Sequence, residues 1–139
     1  AMSIDEVFEN PHVAERVELY NAHAEAAVEQ IRRCSTVHGN LVVLDLRDEE
    51  VIHPTNRFTL YALFPQCNIS IHALWGLRQQ NTVFATGKSI LDRGSKTNVG
   101  QLMLSYGGGG HDAAGTCQVE NEDAPRVLQE LISKINADG

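Results

Sequence analysis

The chain has 139 residues, 42% of them apolar, which suffices for one hydrophobic core but hardly for two. Its formal net charge of −7 argues against a broad nucleic-acid-binding face, and no apolar stretch is long enough to span a membrane or to form a signal peptide. The three cysteines lack Cys-x-x-Cys spacing, which argues against a disulfide framework and a zinc site. We therefore expect a soluble, cytoplasmic protein.

The first predicted element is an amphipathic helix after Asn10-Pro11, whose apolar residues recur at helical spacing from Val13 to Ile31. This helix either links the chain to another domain or packs on a sheet of its own domain. We assign residues 1–36 to it and residues 37–139 to the domain proper. The apolar run at 41–46 predicts a strand covered on both faces, and Asp45 within it is interpreted as a structural residue or a strand end.

Further elements follow in the middle and C-terminal parts of the chain. Residues 56–65 predict a short helix ended by proline, although their alternation also fits a strand. Residues 68–75 and 81–89 predict a hairpin, in which His72 is interpreted as structural. A helix then begins at Thr97 or Asn98, a strand covers 113–119, and a final helix begins at Asp123. These elements predict an α/β fold with a mixed β-sheet of about four or five strands packed with helices.

Four consecutive glycines followed by a histidine, at residues 107–111, carry the strongest functional signal. Consecutive glycines can turn successive N–H groups toward one point, which forms a concave anion site, and an imidazole adds a hydrogen bond or a charge to a phosphate. Alternatively, the glycines only cap the preceding helix and turn the chain into a strand. Residues 51–118 hold five basic residues against two acidic ones, so a positive patch of Lys88, Arg93, Lys96 and His111 is expected near the glycines.

The string Gly-Gly-Gly-Gly-His-x-Ala-Ala-Gly at 107–115, with the helix-like segment 99–106 before it, resembles the DHHA1 domain, the substrate-binding C-terminal half of DHH-family phosphoesterases. The resemblance extends from about Val37 to the C-terminus and includes exopolyphosphatase-related and oligoribonuclease-like proteins. It implies a DHHA1-like fold and a metal-dependent parent hydrolase. The catalytic Mn or Mg ions would bind a separate DHH domain, whose Asp-His-His string this chain lacks. We expect the chain itself to hold no metal, cofactor or catalytic residue and to bind substrate without turning it over.

The resemblance also implies which residues contact substrate. Relatives use the glycine–histidine loop together with an Arg/Ser-containing segment that precedes the helix, and here Ser89, Arg93, Ser95 and Lys96 occupy that segment. Which of them corresponds to the family's arginine stays open; we choose Arg93, because a guanidinium can grip a phosphate with two parallel hydrogen bonds. The predicted phosphate-binding residues are Gly107, Gly108, Gly109, Gly110, His111, Arg93, Ser95 and Lys96.

The expected ligands are short oligonucleotides, nucleotides, a cyclic dinucleotide or another phosphorylated substrate. The expected protein partners are the DHH domain of the parent chain and a second copy in a homodimer, with no membrane partner. A different class of function is also open. The chain could be a non-catalytic regulatory or protein-interaction module, in which the glycine loop is only a turn and the first helix pairs with a partner.

Overall fold

The computed structural model describes residues 24–53, 57–89 and 94–139. The first part of the predicted N-terminal helix and Arg93 lie outside these residues. The elements, in chain order, are helix α1 (24–34), β1 (Ser35–His38), β2 (Leu41–Asp45), α2 (Arg57–Leu63), β3 (Ile69–Trp75), a 3₁₀ turn (Leu77–Gln79), β4 (Asn81–Lys88), α3 (Val99–Leu104), β5 (Gly109–His111), β6 (Ala114–Glu120) and α4 (Ala124–Asp138). No helix in the described ranges is long and apolar enough to cross a membrane.

One six-stranded sheet organises the domain, in the order β1-β2-β3-β4-β6-β5. Strands β2 and β3 are parallel, and α2 lies in the crossover between them, whereas all other neighbours are antiparallel. The mixed α/β class is confirmed, but the sheet has more strands than the four or five predicted. The additional strands are the two edges: β1 follows α1 without a turn signal, and β5 has only three residues, two of them glycine.

Helices cover both faces of the sheet. On the face that we call the α4 face, α3 and α4 pack on Ile69, Ile71 and Phe84. On the opposite face, the α2 face, α1 and α2 pack on β2 through Ile31 and Leu60. Strand β2 is buried on both faces, as predicted from its apolar run. The described part of the first helix therefore packs on the sheet of its own domain.

The sequence predicts residues at the ends of three elements, and the structure confirms two of these predictions. Asp45 ends β2 and binds Arg47 through two side-chain hydrogen bonds of 2.9 and 2.7 Å, which lower the pKa of Asp45, so the structural interpretation is confirmed. Asn98 caps α3 and accepts a 3.1 Å hydrogen bond from the Gln101 amide. Asp123 precedes α4 but makes no cap hydrogen bond, contrary to the prediction. Its backbone is already helical (φ −87°, ψ −16°), whereas a capping side chain requires an extended residue.

Candidate functional site

The first two glycines of the loop end helix α3. The Gly107 amide donates to the Leu104 carbonyl at 3.0 Å and the Gly108 amide to the Met103 carbonyl at 2.9 Å, while Gly107 has a positive φ of 82°. This pair of hydrogen bonds is the Schellman motif, which favours glycine at the left-handed position. The helix-cap alternative therefore describes Gly107 and Gly108. Because both amides already donate to helix carbonyls, they do not form the predicted concave anion site.

Gly110 is required by close packing between α3 and the last two strands. It has a φ of 151°, and a Cβ atom there would lie 2.3 Å from the Ala114 carbonyl oxygen. On the helix side, a Cβ atom on Gly100 would lie 2.7 Å from the Gly110 carbonyl oxygen. Glycine at these positions thus lets α3 lie directly on β5. The fold alone accounts for both residues.

Gly109 differs from its neighbours, because nothing in the fold requires a glycine there. Its φ is outside the left-handed region, and a Cβ atom would meet no atom within 4 Å. The residue lies in β5, where a strand residue with a side chain would be accommodated. A bare backbone beside open space allows a ligand to approach closely. Gly109 therefore marks the place in the loop where an external group has room.

His111 lies two residues further along the same edge strand and is exposed. Its Nδ1 atom accepts a 3.2 Å hydrogen bond from the Ala113 amide, so the neutral ring carries its proton on Nε2, which can donate to a ligand oxygen. Gly109 and His111 contribute to a shallow pocket of about 380 Å³ beside Gln101 and Leu104. This arrangement suits a hydrogen-bond acceptor such as a phosphate.

Lys88, at the end of β4, is the member of the predicted basic patch that the structure brings to the loop. Its ammonium lies 3.2 Å from the Asp112 carboxylate, its side chain is only 7% exposed, and its amide donates to the Ala113 carbonyl. Lys88 is buried whereas Asp112 is exposed, and their ion pair ties β4 to the residues that follow His111. It also keeps a positive charge next to the glycine loop.

Ser95 and Lys96, which the sequence predicts to bind phosphate, do not line the pocket that contains His111. Ser95 is buried, and its hydroxyl has no hydrogen-bond partner among the described residues. Lys96 is exposed and lines a neighbouring cavity of about 320 Å³ with Lys134 and Asp138. Its amide donates to the Gly139 carbonyl, at the end of α4. The structure therefore does not bring Ser95 or Lys96 into the pocket that contains His111.

The strand register places His111 and Gly109 at one end of two rows that cross the sheet. The first row pairs His111 with Ala114, Ala114 with Gly87, and Gly87 with Ser70. The second row consists of Gly109, Thr116, Ala85 and His72. Because directly paired residues share a face, all eight lie on the α2 face.

The central members of both rows are small. We call the surface formed by Gly87, Ala114, Ala85, Thr116 and Gly109 the small-residue floor. Helices α1 and α2 pack over the other half of this face and leave the floor uncovered. Thr116 is therefore exposed, and Ala85 and Ala114 are half-buried. The floor thus offers a flat area with His111 at one end.

Within the described ranges, no group of three His, Cys, Asp or Glu side chains is placed to hold a metal ion. The carboxylate nearest to the glycine loop, Asp112, is paired with Lys88. These residues do not fit a site for Mn or Mg.

Comparison with known proteins identifies the fold. No family model and no curated protein matches the chain. Among solved structures, it is similar to the pGpG-specific phosphodiesterase PggH from Vibrio cholerae, with 63% identity and a TM-score of 0.89, over 99% of this chain and 47% of that one. An exopolyphosphatase-related protein from Bacteroides fragilis shares the fold, with 14% identity and a TM-score of 0.58, over 81% of this chain and 34% of that one.

The chain thus spans about half the length of the phosphodiesterase. In this chain the glycine–histidine string connects α3 to the edge of the sheet. With 63% identity over almost its whole length, the chain has the DHHA1-type fold and is similar to about half of this DHH-family phosphodiesterase.

Proposed function

We propose that the chain is the substrate-binding part of a DHH-type phosphodiesterase and holds a phosphate of a short nucleotide against Gly109 and His111. The observation that carries this proposal is Gly109, the loop glycine that the fold does not require. An open backbone position next to an exposed imidazole donor is what a close phosphate contact needs. The alternative, a module whose loop is only a turn, accounts for Gly107 and Gly108 but not for Gly109.

The substrate class that we propose is a linear dinucleotide with a 5′-phosphate, because the similar phosphodiesterase is named pGpG-specific. Residues 37–139 are the binding domain in this proposal, and residues 1–36 connect it to a DHH domain that binds the catalytic metals. Gly107, Gly108 and Gly110 position the loop, and Lys88 adds a positive charge beside it. Arg93, between β4 and α3, keeps its proposed role as a phosphate ligand.

Replacement of His111 and Gly109 tests this function. We expect His111→Ala to weaken binding of pGpG by about 5- to 150-fold, which corresponds to the 1–3 kcal/mol of a hydrogen bond to a charged group. Gly109→Val is expected to weaken it more, because the side chain fills the space that the phosphate needs. Isothermal titration calorimetry gives the affinities, and thermal denaturation checks the fold. Both variants should fold, because His111 is exposed and Gly109 faces open space.

A matched control is His38→Ala, which removes a histidine from the opposite edge strand, β1. The affinity of this variant for pGpG should equal that of the wild type. If folded His111→Ala and Gly109→Val proteins both bind pGpG as the wild type does, the loop is a turn only and the proposal is wrong.

A further inference from the structure

Arg57, the first residue of α2, extends over the small-residue floor at the end opposite His111. Its Nη1 atom donates to the Ser70 hydroxyl, and its Nη2 atom donates to the Ala85 carbonyl at 3.1 Å. A Cβ atom on Gly87 would lie 2.9 Å from the Arg57 guanidinium carbon. The guanidinium therefore lies flat against Gly87 and is held there by β3 and β4.

The Arg57 guanidinium is half-buried without a compensating carboxylate among the described residues. None of the ion pairs found there includes Arg57. Its partners there are uncharged, namely the Ser70 and Tyr61 hydroxyls and the Ser70 and Ala85 carbonyls, and none of the hydrogen bonds found there uses its Nε–H. The Nε–H group and the second Nη2–H group form the side of a guanidinium that binds an anion through two parallel bonds. Arg47 uses the same two nitrogens to bind Asp45 in this molecule. The half-buried Arg57 cation therefore has donors free on this side and no negative partner among the described residues.

His72 is a second polar group that the described part of the chain leaves without a partner at this end of the floor. It lies two residues after Ser70 on β3 and pairs with Ala85, whose carbonyl accepts a hydrogen bond from Arg57. Its Nε2 atom is buried and has no hydrogen-bond partner among the described residues. A buried polar atom normally has a partner, so this end of the floor contains two groups with unused hydrogen-bonding capacity.

The distance across the floor indicates the kind of ligand. Gly87, under Arg57, is two strand spacings from His111, or about 10 Å. One phosphate cannot contact both ends of such a surface. A dinucleotide with a 5′-phosphate carries two phosphate groups, separated by a nucleoside. The small residues between Arg57 and His111 leave room for that nucleoside to lie on the sheet.

We propose that Arg57 forms a second anion subsite, which binds the terminal 5′-phosphate of a dinucleotide whose internucleotide phosphate contacts His111. This inference rests on the proposed function of the Gly109–His111 loop. In this arrangement, Arg57 selects ligands that carry a terminal phosphate, while His111 contacts a group that all dinucleotides share. The Ser70 hydroxyl and the Ala85 carbonyl hold the guanidinium against Gly87, at one end of the floor.

The experiment compares two ligands that differ only in the terminal phosphate, pGpG and GpG. We expect the wild-type chain to bind pGpG at least tenfold more tightly than GpG in calorimetric titration. Arg57→Gln should abolish this preference, with the affinity for GpG unchanged. Gly87→Ala should reduce the preference as well, because the added Cβ atom displaces the guanidinium without removing it. His111→Ala is expected to weaken both ligands and to keep the preference.

Arg126→Gln is the matched control, because Arg126 is an exposed arginine on α4 and pairs with Glu130. It should leave the preference unchanged, and thermal denaturation shows which variants fold. The second subsite is ruled out if either folded variant, Arg57→Gln or Gly87→Ala, keeps the full preference or loses affinity equally for both ligands. A wild-type chain that binds both ligands equally refutes this inference alone. A wild-type chain that binds neither ligand refutes the proposed function as well.

Discussion

His72 shows how the surroundings of a residue determine its charge in this protein. Burial and, to a smaller extent, the positive charge of Arg57 lower the pKa of His72 to about 4. The imidazole is therefore neutral at pH 7 and can serve only as a hydrogen-bonding group. In the unfolded chain a histidine has a pKa of about 6.5, so the folded state binds fewer protons than the unfolded state between these two values.

This difference predicts a pH dependence of stability. The free energy of unfolding should fall as the pH drops from about 6.5 to 4, by up to roughly 3 kcal/mol, and should not depend on His72 above that range. Replacement of His72 by Asn should remove this part of the pH dependence. Urea denaturation at a series of pH values measures it. A free energy of unfolding for the wild type that is constant between pH 7 and 4.5 would contradict the assignment.

Residues of the same type in the glycine string have different roles, which sequence alone could not separate. Gly107 and Gly108 belong to a helix cap, Gly110 fits under α3, and Gly109 faces open space. These distinctions depend on backbone angles and on atoms from distant strands. Arg57 was not predicted for the same reason, because its position over Gly87 exists only when β3 and β4 pair. The structural interpretation of Asp45, by contrast, follows from its place at the end of an apolar run.

At the scale of elements, α3 and β5 form a unit in which a short helix rests directly on an edge strand. The helix lies close enough that the Val99 amide donates to the Asp112 carbonyl at 3.0 Å. Met103 covers Gly115 on the neighbouring strand β6, where a Cβ atom would be 3.1 Å from its Cγ atom. The position of the glycine loop therefore depends on the fit between α3 and the sheet.

Gly100→Ala tests this fit. The new Cβ atom would lie 2.7 Å from the Gly110 carbonyl oxygen, so backbone atoms must move. We expect a net loss of about 1–3 kcal/mol in stability, although alanine improves helix propensity by about 1 kcal/mol. Affinity for pGpG should fall too, because the loop moves with β5. Denaturant unfolding and calorimetry measure the two effects. Gln101→Ala, on the exposed side of α3, should not reduce stability; an equally stable Gly100→Ala protein would contradict this account.

Most elements could be predicted from the sequence, because their apolar periodicity is strong. The hairpin at β3 and β4 and the helix α2, ended before Pro65, are confirmed. The two edge strands could not be predicted, since neither has a clear alternation of its own. Strand β5 forms because Gly109 and His111 pair with β6, which is a tertiary effect rather than a local preference.

The whole molecule combines a net charge of −7 with a small group of cations around one surface. The cations Arg57 and Lys88 and the hydrogen-bond donor His111 come from three separate elements and lie close to the floor or the loop. A negative molecule repels a long polyanion, whereas these few cations can neutralise only a few phosphates. The charge distribution therefore favours a short ligand over an extended duplex.

We expect the chain to bind a fluorescent trinucleotide at least as tightly per site as a 20-base-pair duplex. The affinity for the trinucleotide should fall with salt with a log–log slope of roughly −1 to −2, because only two or three phosphates are neutralised. Fluorescence anisotropy at several salt concentrations measures both ligands. Tighter duplex binding with a steep slope would show that the protein follows nucleic acid along an extended surface.

The helix cap at Gly107 and Gly108 has a consequence for the kinetics of ligand binding. Glycine loses more conformational entropy than any other residue when it is ordered, and in this protein the cap and the contact with α3 order the loop during folding. If Gly109 binds phosphate as proposed, an arriving phosphate finds the backbone already in place. Association then requires no slow rearrangement of the loop, and differences in affinity between ligands arise mainly in their dissociation rates.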